Sequence, residues 1–365
     1  CNFEGDRIHD VIPTAVNLSA RTEHLSQMSL KTLIYSIIRG ALEFNQSIKK
    51  RFQKEFFYDN DNQIENFLGR VIETPASKVL NEIVHENNLN FSPEARSKLL
   101  PFIASLLCRT PMALQETDSM RNSTLNQVVR EVLRLNSLDE EMAEEGKFIF
   151  EDRDTISLAA LNGAEKWISL NDLALAFVFN KSSLDFYISD HPVFAYNWLY
   201  RKFSHPEASS MFATGLQIFF PVSYNLTLCL YDSEIYRYGR RDSMIIEIES
   251  DDVEILNSFQ VSSAKSSVGF RSSSSVSNLK QLYGKYGNRT IHKWETSVLS
   301  RHNDGDGQNI TRTLTVRRQL ELKRMPSFVH SRKIGRKKAN VCSLRNPLLA
   351  QAFYERERKN YESEH

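Results

Sequence analysis

Asp190 and His191 stand side by side at the end of an apolar run, Leu184 to Ser189, and Pro192 follows them directly. β-Branched and aromatic residues favour a strand and proline stops its ladder, so two titratable groups are expected at the rim of a sheet. A carboxylate and an imidazole at such a rim can take up or release a proton. Successive strand side chains point to opposite faces, so the two need not meet unless Pro192 breaks the alternation. Arg109 is the cation that could join them. It follows Leu106 by three residues and Phe102 by seven, which places it on the buried stripe of a helix. A buried guanidinium needs a carboxylate, because an isolated charge away from water costs several kcal/mol. Glu65 and Glu73 on the preceding helix, and Asp190 at the strand end, are its candidate partners.

Two readings of these residues stay open. In the first, the chain is an enzyme-like domain acting on a phosphate-bearing substrate, nucleic acid included. Arg109 then binds the anionic group, Asp190 or His191 handles a proton, and Glu73 orients Arg109. In the second, it is a non-catalytic interaction module whose Arg–carboxylate cluster is a structural ion pair and whose basic tail contacts a partner. Arg109 and Asp190 converging at the base of a pocket would favour the first reading. A filled core around a closed ion pair would favour the second.

No motif names a reaction or a cofactor. H-E-x-x-H, the phosphate-binding G-x-x-x-x-G-K-[ST] loop, G-x-S-x-G and G-x-G-x-x-G are all missing. His191 and His205 have no cysteine partners at zinc-finger spacing, so no metal site is expected. Asp304-Gly305-Asp306-Gly307 has the start of a calcium loop, but Thr315 stands where the closing glutamate would be needed.

The elements that would hold these residues are readable from periodicity. Leu33 to Leu42 has a helical look, and Phe52, Phe56, Phe57 and Tyr58 form an aromatic cluster beside it. Ile64, Phe67, Leu68, Val71 and Ile72, then Val79, Leu80, Ile83 and Val84, repeat at helical spacing. Thr74-Pro75 interrupts them, as a kink or as the cap and first residue of a new helix. Ser92-Pro93-Glu94 opens the next helix, with Leu99, Leu100, Phe102, Ile103, Leu106 and Leu107 as its stripe. Another helix covers roughly Leu125 to Leu135.

After Gly146 the period changes to that of strands. Residues 171–179 and 184–190 are expected to form a hairpin around Asn180-Lys181-Ser182-Ser183. Leu216 to Phe220, Leu226 to Tyr231 and Met244 to Ile248 complete one antiparallel sheet. Asp251 or Asp252 caps a helix carrying Val253, Leu256, Phe259 and Gln260. Residues 262–277 hold nine serines in sixteen positions and are expected to be an exposed linker. The fold class is α+β: a helical amino-terminal half packed on a small antiparallel sheet, followed by a carboxyl-terminal helix and a basic tail. Residues 1–285 make one domain (helical part 30–145, sheet part 165–250, helix 251–265), and residues 286–365 a basic, partly disordered tail.

Composition agrees with a globular chain: 365 residues, 41% hydrophobic and 25% charged. No segment approaches the ~20 apolar residues that span a bilayer, so no membrane contact is expected. The formal net charge is +1, but residues 301–345 carry 12 Lys/Arg against 3 Asp/Glu, a local +9 on a body of −8. Such a basic stretch could bind nucleic acid or another phosphate-bearing ligand, serve as a localisation signal, or simply be solvated. Cys1, Cys108, Cys229 and Cys342 show no C-x-x-C spacing and read as reduced, which favours an intracellular setting, cytosolic or nuclear, with the cytoplasm preferred. Because the chain begins at Cys1 rather than Met, a preceding segment is expected.

Several of these landmarks occur together in one family. Phe57-Tyr58-Asp59, Glu65 with Glu73, Arg109-Thr110-Pro111, Ser189-Asp190-His191-Pro192-Val193 and Phe219-Phe220-Pro221 follow one another in order. The Leu256-Asn257 helix also fits. With these residues the chain resembles domain-of-unknown-function family 4238 over roughly residues 50–285. The resemblance implies no agreed activity. His191 replaces the commoner Asn of that family, and the amino-terminal His-x-x-Pro segment followed by Tyr-Leu is absent, since His9 and Pro13 are wrongly spaced. If that histidine belongs to a site, this chain lacks it.

Overall fold

A continuous apolar strand run needs cover on both faces, and the run Ala174 to Phe179 has it. In the computed structural model this run is β3 (Ala174–Asn180) of a five-stranded sheet. The structure describes residues 32–36, 41–46, 63–135, 163–202, 210–271, 275–287, 294–303, 309–317, 320, 322–333 and 343–364. The sheet also contains β5 (Phe194–Tyr196), β6 (Gln217–Ser223), β7 (Leu226–Tyr231) and β9 (Ile245–Ile248), in the order β5-β6-β7-β3-β9. Leu226, Leu228 and Leu230 of β7 point to one face with Ile218, Phe220 and Phe177. Cys229 and Tyr231 point to the other with Val178, Phe219 and Ile246. Alternation therefore sorts one hydrophobic run into two cores.

Helices fill the first face. α1 (Gln63–Phe67) passes through a π-helical segment (Leu68–Glu73) into α2 (Thr74–His85), and α3 (Pro93–Arg109) packs beside it. Ser92 caps α3 by accepting the Ala95 N–H at 3.1 Å. α4 (Pro111–Leu135) follows after a single residue. Proline explains the π turn. Pro75 has no N–H for the Val71 carbonyl and its ring would collide with that carbonyl in an α turn. The wider turn lets the Thr74 backbone N–H and hydroxyl both reach Gly69 O, the hydroxyl at 2.8 Å. It also resets the helical phase, so Leu68 and Ile72 are buried while Phe67 and Val71 are exposed.

The second face is covered by α5 (Ser250–Ser263) through Val253, Leu256 and Phe259. Phe194 stacks on Phe259 at 4.6 Å between ring centroids. Behind α5 lies a second sheet. Its order is β2-β1-β10-β4, from β1 (Thr32–Ser36), β2 (Ala41–Gln46), β4 (Ile188–Ser189) and β10 (Ser267–Phe270). Val261, Val268, Phe270 and Tyr187 join Leu279 and Leu282 of α6 (Ser275–Tyr286) in a third core. With the main sheet on one side and the second sheet and α6 on the other, α5 is buried along most of its length, from Leu256 to Ser263. β8 (Tyr236–Tyr238) pairs with β13 (Val329–Ser331), β11 (Trp294–Asn303) with β12 (Asn309–Arg317), and α7 (Pro347–Glu364) ends the chain.

Five expectations are corrected. In place of the helix expected over Leu33 to Leu42, the described residues 32–36 and 41–46 are strands β1 and β2, which pair with each other, and β1 also pairs with β10. The main sheet is mixed, because β3 runs parallel to β9. The hairpin of 171–179 with 184–190 does not form, since β7 and β9 already occupy both edges of β3. The Asn180 side chain instead closes the turn by reaching Leu184 O, and Ile188–Ser189 leaves to pair with β10. The serine-rich stretch is no exposed linker: Ser262, Ser263, Ser267 and Ser275 are buried. Small hydroxyls fit where backbones approach closely, and two of them are satisfied on nearby carbonyls, Ser262 on Phe259 O at 2.9 Å and Ser263 on His191 O at 3.1 Å. Finally, residues 286–365 are not simply a solvated tail. Leu320, Leu322, Phe328 and Val329 are buried in the second core, and Arg345 donates to Ala213 O at 2.7 Å.

The aromatic cluster 52–58, His205, the 304–307 loop and Arg336 to Lys338 lie outside the described residues.

Candidate functional site

Arg109 ends α3 because Thr110 precedes a proline. The residue before proline is pushed from helical to extended conformation, and Thr110 takes φ −73°, ψ 156°. The break leaves Arg109 as the last helical side chain, 5% exposed, facing the π segment. Its Nη2 lies 2.5 Å from Glu73 Oε1, and Glu73 is 1% exposed. The phase reset at Thr74-Pro75 brings that carboxylate inward. The guanidinium also sits 6.0 Å from the Phe102 ring centroid. Glu65 is half-buried on α1.

Thr110 opens α4 by accepting the Ala113 N–H at 3.3 Å. The same hydroxyl is hydrogen-bonded to His191 Nδ1, so the imidazole is tied to the α3–α4 junction. His191 is itself buried. Around it the strand end is held by α5. Gln260 Oε1 accepts the Ser189 N–H at 3.0 Å, and Gln260 Nε2 donates to Pro192 O at 2.8 Å. This one amide side chain takes the place of a neighbouring strand where Pro192 interrupts the ladder. Ser263 donates to His191 O at 3.1 Å, and Ser189 Oγ lies 2.8 Å from the same oxygen.

Asp190 is turned to the far end of α5. Its Oδ1 accepts the Lys265 N–H at 2.8 Å. Its Oδ2 accepts the Ser266 N–H at 2.7 Å and the Ser266 hydroxyl at 2.5 Å. Lys265 in turn donates from Nζ to Pro111 O at 3.3 Å. Upstream, Asn257 accepts the Tyr187 N–H at 2.8 Å and donates to Asp185 O at 2.9 Å. Burial pushes the Tyr187 hydroxyl far above its usual range, which keeps it a neutral donor to Ser275 O at 3.0 Å.

The four expected site residues therefore fall into three linked contacts: Arg109 with Glu73, His191 with Thr110, and Asp190 with the Lys265–Ser266 turn. All meet where the α3–α4 junction, the β4 exit and the end of α5 come together. In the sequence Thr110 stands out only as the middle of the Arg109-Thr110-Pro111 landmark and Gln260 only as part of a helix stripe, while Ser263 and Ser266 are not distinguished from the serines around them. A polar residue among the apolar positions of the helix was the available signal for Gln260 and Asn257. Among the described residues no group of three or more His, Cys, Asp or Glu is placed to hold a metal ion. No described helix is long and apolar enough to cross a membrane.

No curated protein and no solved structure matches this chain. A family model does, beginning nearer the amino terminus than the resemblance over residues 50–285 and ending before α6. The match takes in both halves of the contact network, the Arg109-Thr110-Pro111 junction and the Ser189-to-Pro192 strand end. It spans residues 17–274, more than half of the chain, which belongs to the family described as protein of unknown function (DUF4238).

Proposed function

We propose that this chain is a non-catalytic interaction module in which the Arg109 cluster is a structural lock. The supporting observation is the closed pair itself: Arg109 and Glu73 are both almost wholly buried and 2.5 Å apart. A cation neutralised in this way is poorly placed to receive a substrate anion. Asp190 spends its carboxylate on two backbone N–H groups and a hydroxyl, and the His191 ring on a helix cap. The pair fastens α3 to the π segment, and the neighbouring Thr110–His191 bond ties that helical layer to the β4 exit, which Gln260 and Ser263 of α5 hold, so binding surfaces built on either side keep a fixed relation.

The partner that the charge pattern favours is a phosphate-bearing polyanion, nucleic acid included, met by residues 301–345 with their local +9. Part of that charge is paired with carboxylates of the body: Arg324 with Asp251 at 2.8 Å, Arg332 with Asp242 at 2.5 Å and Arg345 with Asp172 at 3.0 Å. Lys323 and Lys333 remain exposed beside them. Binding of the whole chain to labelled single- and double-stranded DNA, followed by anisotropy across a salt series, tests the reading. Affinity should fall steeply with salt, as counterion release requires, and Lys323→Ala with Lys333→Ala should flatten the slope. Arg109→Met combined with Glu73→Leu should leave binding intact. A folded double variant that loses binding, or that loses a phosphoester hydrolysis present in the parent, would return the cluster to the enzyme-like reading.

A further inference from the structure

Ser327 sits in a short exposed turn just before β13, on a strap whose neighbours Phe328 and Val329 are buried against the sheet. The turn is clasped to the first turn of α5. Asp252 Oδ1 accepts the Ser327 N–H at 2.7 Å and Oδ2 accepts its hydroxyl at 2.5 Å. Asp252 is 6% exposed, whereas Ser327 reaches solvent. Both lie on a cavity of about 510 Å³ that is also lined by Glu247, Glu249, Asp251 and Arg324. Lys323 and Arg324 precede the serine by four and three positions, the placement of basic residues that cation-seeking protein kinases read.

We propose that Ser327 is a phosphorylation site for a basic-directed serine/threonine kinase, and that its modification loosens the 320–331 strap. In the transfer, Ser327 Oγ forms a bond to the γ-phosphorus of a nucleoside triphosphate held by the kinase. The bond from that phosphorus to the β-phosphate oxygen breaks, the hydroxyl proton passes to the kinase's base, and the nucleoside diphosphate leaves. The product has lost the donor that the Asp252 carboxylate accepts and has gained nearly two negative charges beside it. Four carboxylates line the cavity against two cations: Arg324 in its wall, already paired with Asp251, and Lys181, already paired with Glu247 at 2.9 Å. The positive end of α5 is likewise already served by Asp251 and Asp252. Repulsion therefore outweighs the attraction of Arg324. The strap that pays is the one whose Leu320 carbonyl is held by the Tyr196 hydroxyl at 3.0 Å and whose β13 edge pairs with β8.

This inference is independent of the polyanion reading. The full chain is treated with an arginine-directed kinase and Mg-ATP, and the phosphate is located by peptide mass mapping, with Ser327→Ala as control. Phosphate on Ser327 should speed amide exchange across 320–331 by roughly tenfold while α3 stays unchanged. A kinase-free arm compares Ser327→Asp with Ser327→Ala, which both remove the hydroxyl but differ in charge. Exchange in the strap should be faster in the aspartate variant, and the difference should shrink when Asp252→Asn is added. No phosphate at Ser327, or equal exchange in the two variants, overturns the proposal.

Discussion

Arg109 is where a single side chain has the largest expected effect. Its replacement by alanine leaves the Glu73 carboxyl group buried and without the Arg109 cation, and breaking such a pair costs about 3–5 kcal/mol. Arg109→Met with Glu73→Leu removes both charges at similar volume, a change that is often neutral or stabilising. The expected outcome is thus a steep loss in the single variant and near-parental stability in the double, read from urea unfolding midpoints. A double variant as unstable as Arg109→Ala would mean that the pair is not the lock. The burial of Arg109 follows from helical phase alone, three residues after Leu106. Its partner does not, because Glu65, Glu73 and Asp190 satisfy the same chemistry on paper. Glu73 is singled out by a π turn, and nothing short of the packed Pro75 ring specifies that turn. His191 has a similar history: its place at a strand end is visible in the apolar run before it, but its bond to Thr110 depends on how two distant segments meet.

At the scale of elements, α5 carries the most information per residue. It is covered by the main sheet on one side and by β4, β10 and α6 on the other, so each polar side chain it buries must meet a specific group. Asn257 meets two, the Tyr187 N–H and the Asp185 carbonyl. Asn257→Ala strands both, and unsatisfied buried groups cost ~1–3 kcal/mol each. The expected loss is therefore larger than for Ser97→Ala, whose hydroxyl serves an exposed carbonyl, Glu94 O, on the outer side of α3. Equal midpoints for the two variants would show that the segment around Tyr187 finds other partners. The same helix explains two misreadings of the sequence. Local pattern puts 171–179 and 184–190 into a hairpin, yet pairing is decided by which edges remain open, and both edges of β3 are taken. Serine density reads as solvent exposure only while the helix beside it is assumed to be half-buried. α2 and α3, with one face to solvent, keep the simple periodicity, and their stripes at Val79–Ile83 and Leu99–Leu106 lie in the core as the spacing requires.

For the whole molecule, the decisive question is where the cooperative unit ends. Charge counting separates a −8 body from a +9 segment and invites a cut near residue 300. The contacts place the boundary elsewhere. Leu320, Leu322, Phe328 and Val329 complete the second core, and burying one such side chain contributes about 1.5–3 kcal/mol. Their combined loss is comparable with the ~5–15 kcal/mol that holds an ordinary domain together. β8 would also lose its pairing with β13, and Tyr238 the edge-on contact with Phe328 at 5.4 Å. Truncation after residue 319 should therefore abolish the cooperative unfolding transition. Truncation after residue 345 removes α7 but keeps the strap and Arg345. That helix is anchored by Ala350 and Phe353 on Phe212, a much smaller contact, so the shorter cut should lower the midpoint while preserving a single transition. Calorimetry or urea titration of the two truncations distinguishes the outcomes. If the chain cut after 319 still unfolds in one transition at the parental midpoint, the strap lies outside the unit, and a solvated tail on a self-sufficient body is the correct picture. The opposing charges argue against that result: Arg324, Arg332 and Arg345 reach carboxylates of the body at Asp251, Asp242 and Asp172, so the asymmetry in sequence is the complementarity of a docked segment.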